Sequence, residues 1–388
     1  MRLNLLLMVC LYFSVCTSNG VAQDREASRP PEFQSVEVDS GKVTFRIWAP
    51  QAEAVLLNSS DLPSTTPFSP GSSMTKNEAG VWEVSLENIP AGSYRYQFVV
   101  DGLSVLDPRN PTMSESNNNA FSLMVVPGSK VSDLTDVPHG AVAAITYYSK
   151  ALQRFRRAHV YTPPGYEASS DRFPVFYLLH GASDGDASWS SVGRAGWVLD
   201  NLIAAGKAKP MIVVMPMGHT GPFSFGPGGG DLGKQMAEFQ RDFLEDLRPL
   251  IENRYRTLNE RSKRAIAGLS MGGAQTLDAF VQHPQDFGYV GVFSSGVFGM
   301  GGPRRDATAT WEEQHAAVLA DPQVKQGLQV LWFATGKDDF LLGTTQETVR
   351  VLKDKGFNVV YHETDGGHTW IKWREHYLPE FAQLLFQD

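Results

Sequence analysis

The sequence predicts an α/β protein built on a doubly wound, mostly parallel sheet and preceded by a small β-sandwich. Three observations carry this. Residues 43–126 hold short segments of strand periodicity separated by turn residues. From about residue 173, unbroken apolar runs alternate with amphipathic stretches, as they do where parallel strands are covered by helices on both faces. The length, 388 residues, exceeds what one ordinary core holds and favours two domains.

In the first part, Val43, Phe45 and Ile47 alternate with Thr44, Arg46 and Trp48, and Pro50 ends the strand. Further strands are expected at 54–57, 81–86, 94–100 and 120–126, with Asp101-Gly102 as a turn. No helix is expected before about residue 145. The sandwich is assigned to 30–127 and a linker to 128–139. The second domain, 140–388, has expected strands at 173–179, 211–215, 265–267, 290–293, 330–334 and 359–361. Amphipathic helices are expected at 197–205, 236–255, 345–355 and 371–386. In the second of these helices Phe239, Phe243, Leu247, Leu250 and Ile251 recur at helical spacing. The Gly-rich stretch 221–230 reads as a loop.

The first 22 residues differ from the rest. Arg2, the apolar run from Leu5 to Val15 and the small residues Gly20-Val21-Ala22 have the order of a secretory signal peptide. Both cysteines, Cys10 and Cys16, fall inside it, so the mature chain would carry none. Val9 and Val15 are bulky where a lipid-attachment site usually has a small residue. A secreted or periplasmic location is expected. The net charge of −8 argues against nucleic acid as the main partner, and no body segment is long and apolar enough to span a bilayer. The sequence is silent on oligomeric state.

The sharpest motif is Gly268-Leu269-Ser270-Met271-Gly272. It fits the nucleophile elbow of α/β hydrolases, where a strand turns so tightly into a helix that only glycine fits two positions either side of the serine. The small-residue strand 265–267 precedes it and a helix follows. Serine needs a base and a carboxylate to orient that base, in the chain order Ser, acid, His. Strand 330–334 runs into Asp338-Asp339, and strand 359–361 leads to Gly366-Gly367-His368. Both lie at the carboxyl ends of strands, where open α/β sheets place functional groups. Ser270 and His368 are thus the expected nucleophile and base, with Asp339 as acid and Asp338 as its rival. Glu363 and Asp365 are more distant alternatives. For the oxyanion, the N–H of Met271 and that of Ala182, after Leu178-Leu179-His180-Gly181, are the expected donors. Loop aromatics Trp189, Phe223, Phe225 and Trp370 are candidates for lining a substrate slot. His180, His219 and His362 show no metal-ligand spacing, and no metal or cofactor is expected.

With these motifs in view, residues from about 140 onward resemble the esterase D type of α/β hydrolase, and within it carbohydrate esterase family 1, the feruloyl and acetylxylan esterases. The resemblance rests on Leu179-His180-Gly181, Gly268 to Gly273, Gly336-Lys337-Asp338-Asp339-Phe340-Leu341, Gly366-Gly367-His368-Thr369-Trp370 and the opening Val160 to Tyr166. It implies that the aspartate before Phe-Leu, Asp339, is the acid. The first domain resembles a family-48 carbohydrate-binding module, which is immunoglobulin-like, through residues 43–50, Gly80-Val81-Trp82, Tyr94-Arg95-Tyr96 and Val100-Asp101-Gly102. The two glucan-stacking tryptophans of that family fall at Leu62 and Ser104, so the resemblance implies a module that packs on the esterase rather than one that binds starch. The function implied is hydrolysis of a plant polysaccharide ester, foremost ferulate on xylan. The alternatives are acetylxylan esterase, siderophore esterase and a non-catalytic binding protein.

Overall fold

The computed structural model describes residues 30–63, 71–223, 231–298 and 310–387. The signal-like segment 1–22 with Cys10 and Cys16, and Phe225 of the Gly-rich loop, lie outside these. Among the described residues no helix is long and apolar enough to cross a membrane.

Alternation of apolar and polar residues folds the first part into two antiparallel sheets, one of four strands and one of six. Lys42–Trp48 pairs with Val81–Leu86 in the first. Val55–Asn58, Gly92–Val100 and Ala120–Val126 are consecutive neighbours in the second. Val43, Phe45, Leu57, Tyr94, Tyr96 and Phe98 face one another between the sheets and are almost fully buried. Asp101 and Gly102 both take positive φ, as a two-residue hairpin turn demands, and lead into the short strand Leu103–Val105. Leu62 belongs to this core, and Ser104 sits on the exposed hairpin.

Gly92–Val100 is the informative strand. Alternate positions belong to opposite faces. Tyr94, Tyr96 and Phe98 fill the sandwich, yet Ser93, Arg95 and Gln97 on the other face are also buried. What covers them is the second part of the chain. Leu123, paired with Arg95, packs in one cluster with Trp189, Trp370 and Trp373 of that part. Phe33–Asp388 accordingly forms one compact unit. The stretch 128–139, expected as a linker, is tied down along its length. Ser129 and Ser132 donate to Glu375, the Asn201 side chain donates to the carbonyls of Val131 and Asp133, and His139 pairs with Asp200.

The second part is a single eight-stranded sheet, with helices on both faces. Its order across the sheet is Ala141–Ser149, Arg154–Thr162, Ile212–Pro216, Val175–Leu179, Arg264–Leu269, Tyr289–Phe293, Val330–Gly336, Val359–Thr364. The last six strands are mutually parallel. Val175, Tyr177 and Leu179 point to one core, and Phe176 and Leu178 to the other, which explains the unbroken apolar run. The first two strands are an antiparallel hairpin on the edge. The apolar-run criterion passes over them, because Ala141–Ser149 is solvent-facing at most positions. Three short helices within 311–326 likewise carry no amphipathic pattern long enough to mark them in the sequence. The expected helix 236–255 is present as Leu232–Arg254 with a wider turn, Asp242–Leu247, inside it.

Because the sandwich and the hydrolase sheet share buried surface, they are expected to unfold together. In urea, far-UV circular dichroism and tryptophan fluorescence are expected to give one coincident transition. Leu123→Ala should shift both by the same amount, corresponding to about 2–5 kcal/mol.

Candidate active site

The strand Arg264–Leu269 runs straight into the helix Met271–Gln282, and Ser270 is the single residue of the turn. Its backbone is held at φ 52° and ψ −118°, a conformation costly for a residue with a side chain. The sequence removes every obstacle to it. A Cβ on Gly268 would overlap the Gly272 carbonyl, and one on Gly272 would stand 2.5 Å from the His180 carbonyl oxygen. A Cβ on Gly273 would meet the Ser295 side chain at 2.5 Å. Hydrogen bonds then fix the turn: Ser270 N–H donates to Phe293, and the Ser295 hydroxyl donates to the Ser270 carbonyl.

Asp339 and His368 come from the ends of the two adjacent strands Val330–Gly336 and Val359–Thr364. The two loops are cross-tied, Lys337 N–H to Thr364 and Asp338 N–H to Gly366. His368 Nδ1 lies 3.0 Å from both carboxylate oxygens of Asp339. The Leu341 N–H donates to Asp339 Oδ1 at 2.8 Å. Burial pushes the Asp339 carboxyl up, but the His368 hydrogen bond and charge, with donors from Leu341 and the Ser294 hydroxyl, outweigh it and hold it below the usual carboxylate range. Ser294 in turn accepts from Trp373 Nε1. With Nδ1–H given to Asp339, the other ring nitrogen, Nε2, is the one left to accept a proton. Asp338 is exposed, Asp365 pairs with Lys337 at the surface, and Glu363 bonds Tyr361 and Gln346. Of the four carboxylates considered, only Asp339 is buried against the imidazole.

The other wall is the loop after Val175–Leu179. A Cβ on Gly181 would lie 3.3 Å from Ser270 Cβ, so this loop passes directly beside the serine. His180 accepts from Gly218 N–H through Nε2 at 2.7 Å and therefore donates from Nδ1 to the Gly181 carbonyl. Burial pulls its pKa down to about 4, so it is a neutral structural imidazole. His219 accepts from Ser183 N–H and bonds Gln235, and burial beside His180 lowers it to about 4 as well. The residues around Ala182 are thus committed to partners. No carbonyl among the described residues accepts from the Ala182 N–H, and Met271 N–H is the first amide of its helix, without an intrahelical partner.

Of the expected aromatic lining, Phe225 lies outside the described residues and the other three rings are buried. Trp189 is 1% exposed, its indole donates to the Leu179 carbonyl, and its ring packs edge-on against Trp370 at 5.0 Å. Trp370 is buried between Trp189, Trp373 and the Arg95 guanidinium. Phe223 is buried in a stack on His219. Large rings in loops beside a core gain most by leaving water, and these three pack into the interior. The aromatic groups against the imidazole are others: Phe340, 75% exposed, with its centroid 4.5 Å from that of His368, and Trp373, edge-on at 4.9 Å. Phe340 had a signal in the sequence, since it follows Asp339 directly. Ser294 had none.

The strand-turn-helix serine and the histidine-carboxylate pair on neighbouring strand ends define the class of the α/β hydrolases. Residues 149–384 match the model of the family described as "Putative esterase", and the chain belongs to that family. Residues 32–127 match carbohydrate-binding module 48, the isoamylase N-terminal domain. An endo-1,4-beta-xylanase/feruloyl esterase of Xylanibacter ruminicola is 30% identical over 371 residues, covering 93% of this chain and 47% of that protein. The chain therefore spans about half the length of that relative. A solved ferulic acid esterase is 27% identical with a TM-score of 0.52, over 64% of this chain and 98% of that one. The enterobactin esterase of Shigella flexneri, solved in the presence of enterobactin, has a TM-score of 0.60 over 95% of this chain and 98% of its own, at 19% identity. That last likeness is one of fold.

The depressed histidines make acid stability testable. Unfolded histidine titrates near 6.5 and folded His180 near 4, so between these values the unfolded chain binds the extra proton. The stability His180 confers is complete above pH 6.5 and falls by about 3 kcal/mol as the pH drops to 4. Thermal melts from pH 7 to 4 should show this decline, and His180→Asn, though less stable at pH 7, should decline less steeply.

Proposed function

We propose that this protein is an exported serine esterase that releases ferulate from feruloylated arabinoxylan through an acyl-enzyme on Ser270. The observation that carries the chemistry is the buried Asp339 carboxylate hydrogen-bonded to His368 Nδ1, at the same carboxyl end of the parallel strands as the Ser270 turn. His368 Nε2 takes the Ser270 proton as Oγ attacks the ester carbonyl. The carbonyl oxygen gains negative charge and is received by the N–H groups of Met271 and Ala182. Collapse breaks the bond to the sugar oxygen, which leaves with the proton from His368. Water, deprotonated by the same imidazole, attacks the acyl-enzyme, and the acid departs with Ser270 restored. Asp339 stays ionised throughout, fixing the tautomer and stabilising the imidazolium.

The choice of an aromatic acyl group is supported by Phe340, an exposed ring that lies tilted against the catalytic imidazole, and by the names of the relatives above. Export is supported by the basic, apolar and small-residue order of residues 1–22. Mass spectrometry of the mature N-terminus tests it.

Methyl ferulate, feruloylated arabinoxylan and acetylated xylan, assayed side by side, test the substrate. Ferulate release that Ser270→Ala abolishes is the expected result. Acetate without ferulate would contradict the acyl group and leave the nucleophile in place, and no hydrolysis by the wild type would contradict the whole reading. Asp339→Asn should lower kcat by about 10³–10⁴-fold, as loss of the orienting carboxylate does in triad enzymes, while Asp338→Asn stays within about threefold. Phe340→Ala should raise KM for methyl ferulate more than for 4-nitrophenyl acetate.

A further inference from the structure

One side chain of the sandwich reaches both walls of this site. Arg95 projects from the face of Gly92–Val100 that the hydrolase covers, and it is 6% exposed. Its Nε and Nη2 form a fork on the two carboxylate oxygens of Asp61, at 2.8 and 3.1 Å, within the sandwich. Its Nη1 donates at 2.6 Å to Asp184, 89 residues away in sequence and two residues beyond Ala182. The guanidinium also lies 5.7 Å from the Trp370 ring centre, and Trp370 follows His368 by two residues. A second strut runs beside it: Asn117 N–H of the sandwich donates to the Ser183 carbonyl at 3.0 Å.

The grip is one of geometry, a single guanidinium hydrogen-bonded to two carboxylates. Burial leaves the Asp184 carboxyl above its usual range, and Arg95 is the cation that opposes that shift. Asp61 and Asp184 face the same guanidinium, so its removal would leave two buried carboxylates without a counter-charge. Within the loop, Asp184 N–H donates back to Gly181, Gly185 N–H bonds the Ser188 hydroxyl, and Ser183 is held from both sides by His219 and Asn117. Ala182 lies in the middle of this restrained segment.

We propose that Arg95 is a positioning residue for ester hydrolysis, through which the β-sandwich fixes the Gly181–Asp184 loop and so aims the Ala182 N–H at the oxyanion. The sandwich then serves as a structural part of the catalytic domain, acting through an ion pair rather than through contact with substrate. The inference rests on the oxyanion reading above.

The test uses the full chain with Arg95→Lys, Asp184→Asn and, as a control, Leu57→Ala, which opens the sandwich core without touching the ion cluster. The substrate is 4-nitrophenyl acetate, so that the outcome does not depend on which natural acyl group fits. In Arg95→Lys and Asp184→Asn, kcat should fall about 10- to 100-fold, short of the ~10²–10³ lost with a whole oxyanion donor, while KM stays within about threefold. Affinity for a trifluoromethyl ketone, which mimics the tetrahedral oxyanion, should fall by the same factor as kcat, and affinity for product acid should not. Amide hydrogen exchange over residues 181–184 should accelerate in both variants. Leu57→Ala should lower the melting temperature yet leave kcat and loop exchange near wild type. Unchanged kcat, ketone affinity and exchange in folded Arg95→Lys and Asp184→Asn would overturn the proposal. So would losses in Leu57→Ala equal to theirs, since that is what a purely structural role produces. An inactive wild type would instead sink the esterase reading, and the exchange measurement would still decide whether Arg95 holds the loop.

Discussion

Everything in this site is arranged around one strained residue. Ser270 sits at positive φ between a buried strand and a buried helix, with no room for a Cβ at Gly268, Gly272 or Gly273. Such a conformation persists only where the surroundings over-determine it. Here they do so from three sides: the Phe293 carbonyl, the Ser295 hydroxyl and the loop that presses Gly181 against the serine. The same constraint brings the Gly181 loop against the serine. In the proposed reaction, positioning of nucleophile and oxyanion donor is therefore one problem with one packed solution.

The second organising feature is that neutral and charged groups are sorted by burial. His180 and His219 are buried without a carboxylate partner and serve as hydrogen-bond connectors in the neutral form. His368 is half-buried with Asp339 at 3.0 Å. The same residue type is thus a connector twice and, in the proposed reaction, the base once, and the neighbouring carboxylate makes the difference.

Much of this was legible in the sequence. The strands at 81–86 and 120–126 are found where alternation placed them, and the buried parallel strands announced themselves as apolar runs. Gly-x-Ser-x-Gly was readable because the turn admits so few residues. The choice of Asp339 over Asp338 was not readable from local pattern, since adjacent aspartates differ only in which way the chain turns them; burial separates them. The aromatic loops misled because Trp189 and Phe223 are as suited to packing as to a pocket, and only the fold decides. Arg95 gave no signal at all: its partner Asp184 lies 89 residues on, and a charge in an alternating strand reads as a solvated face until a second layer covers it.

The most direct test of the account is covalent labelling of the native protein with a fluorophosphonate, followed by peptide mass spectrometry. A nucleophile activated by this geometry predicts one adduct per chain, on Ser270, that is lost in urea and in His368→Ala. Labelling at another residue, or equal labelling of folded and unfolded chain, would show that the Ser270 turn and the Asp339–His368 pair do not form a working catalytic centre.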